Sequence, residues 1–231
     1  MNRKAAAAAT RPERSNFEPE RDCSSCPRLA AYRTTNRVAE PQWHNAPVRN
    51  FGPAEARLLI VGLAPGLRGA NRTGRPFTGD FAGDLLYQTL LEFGFAKGVY
   101  RASAEDDLQL VDCAITNAVR CAPPQNKPTP AEINGCRPFL AATLEAAPNL
   151  QVILALGRIA HESIIRAYGL KLSGVPFAHG AEHFLPRMDA NSLLLFDSYH
   201  CSRYNTNTGV LTPQMFRAVF IRLRETMGAN T

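Results

Sequence analysis

Four runs of mostly apolar residues along the chain predict buried β-strands. They are Arg57–Leu63, Leu110–Val119, Val152–Leu156 and Leu193–Ser198. Strands of a parallel sheet are covered on both faces, so they appear in a sequence as continuous apolar stretches rather than as an alternation. Each run is also followed by a loop of unusual composition, which makes the ends of the strands the first place to look for function.

Apolar residues at helical spacing occur between and after these runs and predict three amphipathic helices. The residues expected to face the core are Leu85, Leu86, Leu90 and Phe93, then Ile159, Ala160, Ile164 and Tyr168, then Met215, Phe216, Val219, Phe220, Leu223 and Met227. Gly94 and Gly169 are expected to end the first two, and Thr212-Pro213 to begin the third. A fourth helix is predicted at Thr129-Pro130-Ala131-Glu132, which is a capping box with proline at the first helical position.

Strands that alternate with helices predict an α/β fold of three layers, α/β/α, with a central, mainly parallel four-stranded sheet. In such sheets, ligands bind outside the carboxyl ends of the strands. Three loops are predicted at that edge: Gly62–Asp80, Asn117–Cys121 and His200–Gly209. We therefore expect the functional residues to lie in these loops.

The composition is that of an ordinary globular protein, with 45% hydrophobic and 20% charged residues among 231. We expect a flexible, charge-rich tail at residues 1–22 and one folded domain at residues 23–231, acting as a monomer. No apolar run approaches the roughly 20 residues of a membrane-spanning helix, and no secretory signal is recognisable, so a cytoplasmic location is expected.

The formal net charge of +6 favours a polyanionic partner such as nucleic acid. Many basic proteins bind no nucleic acid, so the charge alone changes the picture little.

Six cysteines occur in a chain that lacks the features of a small secreted disulfide scaffold, so metal binding is the better interpretation for some of them. Cys23 and Cys26 form a CxxC pair, while Cys121 and Cys136 form a second pair with 14 residues (122–135) between them. Four thiolates can bind zinc or a [4Fe–4S] cluster, and the spacing leaves both open.

The loops contain residues with both structural and chemical interpretations. The glycine-rich loop after the first strand is neither a Walker A loop nor a GxGxxG fingerprint. In it, Asp80 is either a helix N-cap or a catalytic carboxylate. In the last loop, His200, Arg203 and Tyr204 are either part of a solvated turn or face a nucleic-acid strand.

Taken together, four segments resemble the uracil-DNA glycosylase superfamily, and within it the family 5 (UDGb-type) enzymes. The matching segments are Gly62–Gly66, Asn71–Asp80, Thr116–Cys121 and His200–Gly209, together with the cysteine pattern. Family 4 enzymes carry glutamate where this chain has Leu63, so family 5 fits better. One departure is Cys201, which stands where the family's last motif, His-Pro-Ser, has proline; its loss frees the backbone beside His200.

The resemblance implies a DNA-repair enzyme that flips uracil out of DNA and hydrolyses its N-glycosidic bond, leaving an abasic site. It also implies activity on hypoxanthine and related damaged bases, a preference for double-stranded DNA, and no backbone lyase activity. The base-binding residues implied by the match are Gly62, Leu63, Ala64, Phe77, Asn117 and His200.

Residue chemistry suggests how the implied site works. Phe77 offers a flat face for the flipped base, and the Asn117 amide can both donate to and accept from the base edge. The resemblance puts His200 where it donates to the base carbonyl at position 2. Asp80 is expected to activate the attacking water, because Ala64 stands where some relatives carry a polar catalytic group.

The resemblance also assigns the remaining loop residues and the metal. Ser202, Arg203, Tyr204 and Asn205 are expected to contact DNA, with Arg203 on phosphates and Tyr204 filling the gap left by the flipped base. A [4Fe–4S] cluster is implied on Cys23, Cys26, Cys121 and Cys136, with Cys113 and Cys201 as non-ligands.

Two other functions account for parts of the sequence. The first is a non-enzymatic nucleic-acid-binding protein that is held together by a metal site. This function would account for the charge and the cysteines, but it gives no reason for Asp80, Asn117 and His200 at three strand ends. A glycosidase of free nucleosides would need neither a basic surface nor the loop containing Arg203 and Tyr204.

Overall fold

The computed structural model describes residues 18–186 and 193–228, so residues 1–17 of the predicted tail lie outside the described residues. The rest of that tail is in contact with the folded part. A carboxylate oxygen of Glu18 lies 3.1 Å from the guanidinium of Arg120, and Asp22 pairs with Arg37 at 2.6 Å. Among the described helices, none is both long enough and apolar enough to span a membrane.

Seven strands are present within the described residues. They are β1 (Leu58–Gly62), β2 (Ala96–Lys97), β3 (Gln109–Leu110), β4 (Cys113–Asn117), β5 (Val152–Leu156), β6 (Glu182–Leu185) and β7 (Leu193–Ser198). The main sheet has the order β4-β1-β5-β7-β6, and β2 pairs with β3 in a separate antiparallel ribbon. The four predicted strands are thus confirmed as β1, β4, β5 and β7, all parallel to one another.

The prediction of four strands is wrong by one, because β6 adds an antiparallel edge strand beside β7. Along β6, exposed Glu182 and Phe184 alternate with the less exposed His183 and Leu185, so it shows no continuous apolar run. The run predicted at Leu110–Val119 is also divided. Asp112 has a φ of +53°, which separates β3 from β4.

Seven α-helices are described. They are α1 (Pro27–Ala39), α2 (Ala70–Thr73), α3 (Phe81–Glu92), α4 (Pro130–Ala146), α5 (Arg158–Ala167), α6 (Arg203–Asn207) and α7 (Pro213–Gly228). Of these, α3, α4, α5 and α7 were predicted, and their starts and ends match closely, whereas α1, α2 and α6 were not predicted. The capping box of α4 is complete, since the Thr129 hydroxyl accepts from the Glu132 amide and the Glu132 carboxylate accepts from the Thr129 amide. One predicted core residue of α5 is wrong: Ile159 is 37% exposed.

The helices cover both faces of the sheet, which confirms the three-layer architecture. One face packs α3 and α7 against β-strand residues such as Leu58, Ile60 and Phe196. The opposite face packs α4 and α5 against the alternate residues, including Leu59 and Val61. Because both faces are apolar, the strand ends are where polar side chains can gather.

Candidate active site

Gly62 ends β1 and creates the space in which two predicted site residues meet. It lies opposite Asn117 in the parallel register of β1 and β4. A Cβ atom at Gly62 would lie 2.4 Å from Oδ1 of Asn117 and 2.6 Å from Cζ of Phe77. Only glycine therefore allows the amide and the aromatic ring to approach this closely.

Asn117 is buried, and Oδ1 of its side-chain amide is directed to the space over Gly62. The backbone around it is well held, because the amide N–H of Ala118 donates to Gly62 and that of Val119 donates to Leu63, both at 2.9 Å. A side-chain amide can both donate and accept, so Asn117 is suited to bind a polar ligand edge in this space.

Phe77 and His200 lie side by side at the same place. Their ring centroids are 5.9 Å apart with 28° between the ring planes. His200 follows β7 and borders Gly157, the residue after β5, where an added Cβ would lie 3.4 Å from Cβ of His200. The loops after three parallel strands therefore contribute to one group of side chains.

Asp80 combines the two roles that its local sequence allowed. Its Oδ1 accepts from the amide N–H of Gly83 at 3.2 Å and so caps α3. Its Oδ2 faces the glycine-rich loop after β1, since a Cβ atom at Gly69 would lie 2.4 Å and one at Gly66 3.0 Å from that oxygen. One carboxylate oxygen is thus structural, and the other is directed to the loop beside the site.

Burial dominates the electrostatics of this site. It raises the pKa of Asp80 above its usual value, partly offset by the capping amides of Gly83 and Ala82 and reinforced by nearby Asp84. It lowers the pKa of His200 to about 4. At neutral pH, His200 is therefore an uncharged imidazole that can still donate a hydrogen bond.

Two other predicted base-binding residues, Leu63 and Ala64, directly follow Gly62 at the border of the site. Leu63 is half-buried, and its carbonyl accepts from Val119. Ala64 packs against the separate small core of Leu29, Val119 and Cys136. Its methyl group offers no polar atom to the site.

The predicted DNA-contacting loop is more ordered than a solvated turn. Ser202 caps the short helix α6 by accepting from the amide of Asn205 at 3.3 Å, and the Asn205 side chain donates to the His200 carbonyl at 2.8 Å. The guanidinium of Arg203 lies 5.2 Å from the ring centroid of Phe81, and Tyr204 is 73% exposed. The thiol of buried Cys201 faces the carbonyl of Ala82 in α3 at 3.4 Å, linking this loop to the helix that Asp80 caps.

The four cysteines predicted to bind metal line a single cavity beside α1. Arg33 closes one side, because its guanidinium donates to the carbonyl of Cys23 at 2.8 Å and approaches Sγ of Cys121 at 3.5 Å. The backbone amide of Arg120 faces Sγ of Cys136 at 3.3 Å. The Nε atom of Arg33 is buried without a partner among the described residues.

Within the described residues, His161, His183 and Asp197 are the one group of three potential metal ligands whose donor atoms lie within 4.8 Å of one another. Both ring nitrogens of His161 already face acceptors, Asp197 at 2.7 Å and the carbonyl of Val175 at 2.8 Å. Burial disfavours charge on His161, but the hydrogen bond and charge of Asp197 outweigh this and raise its pKa. The group is thus accounted for as a buried hydrogen-bonded set that joins α5 to β7.

Sequence reasoning missed the residues that hold the Phe77 segment in place. The Tyr100 hydroxyl donates to the carbonyl of Phe77 at 3.3 Å, and the Tyr87 hydroxyl donates to that of Pro76 at 2.6 Å. Neither tyrosine lies in a motif loop. Tyr87 fits the apolar face of α3 and Tyr100 an irregular segment, so no local signal distinguishes them.

Comparisons with known proteins indicate one superfamily. A family model described as the uracil DNA glycosylase superfamily matches residues 49–224. The chain is 45% identical over 212 residues to the type-5 uracil-DNA glycosylase of Thermus thermophilus, covering 89% of this chain and 94% of that protein. It is 36% identical over 205 residues to the type-5 enzyme of Pyrobaculum aerophilum, covering 87% of each. It is also 34% identical over 142 residues to the type-4 uracil-DNA glycosylase of Archaeoglobus fulgidus, covering 61% of this chain and 63% of that protein.

The electrostatics of His200 can be measured directly. We expect its ring to titrate near pH 4, because burial disfavours the charged form, whereas His161 titrates above the ordinary histidine value. Histidine-labelled protein followed by NMR from pH 3 to 9, with His200→Asn for assignment, gives both pKa values. A His200 ring that titrates at about 6.5 or above contradicts a buried neutral imidazole.

Proposed function

This chain belongs to the uracil-DNA glycosylase superfamily, as a type-5 member, and we propose that it removes uracil from DNA by cleaving the N-glycosidic bond of a flipped nucleotide at the Gly62–Asn117 strand ends. The observation that carries the proposal is the meeting of Phe77 and Asn117 over a residue without a side chain. An aromatic face beside an amide that is directed to the same space suits a flat, polar-edged base.

Base binding is the first step that this arrangement supports. Extruding a nucleotide from a duplex costs a few kcal/mol, least at a mismatch. Stacking on Phe77 offsets roughly 1–3 kcal/mol of that cost. The Asn117 amide then donates to the carbonyl at position 4 of uracil and accepts from the N–H at position 3. Cytosine presents the opposite pattern there, so an amide held in one orientation discriminates against it.

The same edge supports a wider set of substrates. Hypoxanthine, which arises by deamination of adenine, also presents a carbonyl next to a ring N–H. The Asn117 amide can satisfy both with the orientation that it uses for uracil. We therefore extend the proposal to hypoxanthine in double-stranded DNA.

Bond cleavage places positive charge on the sugar and negative charge on the departing base. His200, uncharged at neutral pH because of its burial, donates a hydrogen bond to the base carbonyl at position 2 and so stabilises the developing anion. The Asp80 oxygen that does not cap α3 activates the attacking water, and its negative charge favours the cationic sugar. Both groups lie in a partly buried site, where electrostatic interactions are stronger than in water.

DNA contacts are proposed for the α6 segment, which adjoins His200. Arg203 supplies a cation for the phosphates, in keeping with the net charge of +6. Ser202 and Asn205 hold the segment through their hydrogen bonds to the backbone. Tyr204, the exposed aromatic residue of this segment, is proposed to occupy the space that the flipped base leaves in the duplex.

The cavity lined by Cys23, Cys26, Cys121 and Cys136, called the cysteine-lined cavity below, fits a [4Fe–4S] cluster better than a zinc ion. Tetrahedral zinc with bonds of about 2.3 Å would bring its sulfur ligands within roughly 3.8 Å of one another. Among the described residues, no three of the cysteine sulfurs lie within 4.8 Å. Cys23, Cys26, Cys121 and Cys136 would hold the cluster, which would cross-link α1, the loop after β4 and α4. The buried Arg33 and its unpartnered Nε suit a negatively charged group in the cavity.

The proposed function is tested by incubating the protein with labelled uracil-containing duplex and with free deoxyuridine. We expect uracil to be released from the duplex alone. Release from the free nucleoside alone would indicate a nucleosidase, and duplex binding without release would indicate a non-enzymatic DNA-binding protein.

The assignment of Asp80 is tested by Asp80→Asn. We expect single-turnover cleavage to fall by about 10²–10⁴-fold, because the water loses its base, while binding to DNA with a non-cleavable abasic analogue is retained. Asp84→Asn is the matched control, since Asp84 lies in the same first turn of α3 and is exposed. Full activity of Asp80→Asn, or an equal loss in Asp84→Asn, removes Asp80 from the mechanism.

The role of Tyr204 is tested by Tyr204→Ala on paired substrates. We expect cleavage of duplex DNA to fall by about tenfold and cleavage of single-stranded DNA to change little, because only the duplex must be held open. Phe184→Ala is the control, because Phe184 is an equally exposed aromatic residue on the edge strand β6. Equal effects on both substrates contradict a wedge.

The cluster is tested by metal analysis of anaerobically purified protein. We expect a brown protein with about four irons per chain. Cys121→Ser should lose the iron, whereas Cys113→Ser, a buried cysteine outside the cavity, should keep it. A colourless wild-type protein with one zinc contradicts the cluster.

A further inference from the structure

Phe77 has a backbone conformation that is unusual for an aromatic residue. Its φ is +52°, in the left-handed region that disfavours side chains with a Cβ atom. Such a residue costs about 1–3 kcal/mol and persists only where the surroundings enforce it. Phe77 touches the space over Gly62 and lies three residues before Asp80, so this strained turn connects the base-binding ring to the carboxylate.

Hydroxyl groups hold the backbone of this turn from outside. The Tyr87 hydroxyl donates to the carbonyl of Pro76 at 2.6 Å, and the Tyr100 hydroxyl donates to that of Phe77 at 3.3 Å. The amide N–H of Gly79 lies 3.5 Å from the same Tyr100 oxygen. Two consecutive carbonyls are thus fixed on either side of the strained residue.

A buried ion pair holds these tyrosines in place. The guanidinium of Arg75 binds both carboxylate oxygens of Asp106, at 2.6 and 2.9 Å, and its Nε donates to the Thr78 hydroxyl at 2.7 Å. It also lies 5.5 and 5.9 Å from the ring centroids of Tyr87 and Tyr100. Asp106 further accepts from the amides of Arg101 and Leu108. The two side chains are only 6% and 0% exposed, so water does not weaken the pair.

From these contacts we propose that four residues form a positioning clamp: Arg75, Tyr87, Tyr100 and Asp106. The clamp holds Phe77 and Asp80 in the relative positions that glycosidic-bond cleavage requires. The inference rests on the proposed function and adds to it four residues that touch neither the base nor the water. Its physical basis is that a misplacement of about 1 Å at reacting groups costs about 10²-fold in rate.

A second ion pair provides a matched control for stability. Arg57 binds Asp112 through Nε at 2.7 Å and through its backbone amide at 2.8 Å. Asp112 also has a positive φ, +53°. This pair immediately precedes β1 and β4. It therefore lies at the opposite end of these strands from Asn117. Its loss should therefore lower stability without moving the site.

The test compares Arg75→Lys, Asp106→Asn and Tyr100→Phe with Arg57→Lys and Asp112→Asn. For each protein, three quantities are measured: the single-turnover rate on uracil-containing duplex, the affinity for DNA with a non-cleavable abasic analogue, and the thermal midpoint. We expect the rate to fall by about 100-fold in Arg75→Lys and Asp106→Asn. Tyr100→Phe keeps the ring and loses the hydroxyl that contacts the Phe77 carbonyl and the Gly79 amide, so we expect about a tenfold loss even where the other two fold poorly.

The split between rate and binding separates positioning from stability. We expect affinity for the abasic analogue to stay near that of the wild type in the clamp variants, and the rate to stay near that of the wild type in the Arg57 and Asp112 variants. Clamp variants that cleave at the wild-type rate, or whose losses are equalled by the control pair, overturn the clamp while the proposed function stands. A wild-type protein that releases no uracil overturns the proposed function and the clamp with it.

Discussion

The site depends on the close approach of two parallel strands at a residue without a side chain. Gly62 and Asn117 are paired in the β1–β4 register, and a methyl group on Gly62 would collide with both the Asn117 amide and the Phe77 ring. The register is fixed by packing on both faces, since a shift by one residue would exchange the side chains that fill the two different cores. The position of the amide is therefore set by the core of the protein rather than by the flexible part of a loop.

Burial is the second constraint, and it acts on both ionisable groups of the site in the same sense. It raises the pKa of Asp80 and lowers that of His200, so each is driven toward its uncharged form. His200 remains a donor without charge, which suits an anion that forms only in the transition state. Asp80 stays within reach of solvent and of two capping amides, which limit the rise of its pKa. The same low polarity makes its charge more effective once the sugar becomes cationic.

Much of this could be predicted from the sequence, because continuous apolar runs report burial directly. The bounds of β5 and β7 agree with the prediction to the residue. Strand β6 and helix α1 were missed because they are short or polar and are held by tertiary contacts; α1 buries little beyond Leu29, Arg33 and Asn36. At Asp80 the local alternatives were not exclusive, since its two oxygens do different things. Tyr100 could not be found, because its importance comes from the strain at Phe77, which no pattern in the sequence reports.

The cysteine-lined cavity and the proposed base-binding site are connected through one short segment. Pairing between β1 and β4 continues past the strands through the amides of Ala118 and Val119, and Arg120 is the next residue. The amide of Arg120 faces Cys136, while its buried side chain binds Glu18 and Thr143. Asn117 thus lies between a rigid sheet on one side and the cysteine-lined cavity on the other. An amide must be held in one orientation to distinguish uracil from cytosine. In the proposed mechanism, the backbone of residues 117–121 is the connection through which a group in the cavity would help to hold that orientation.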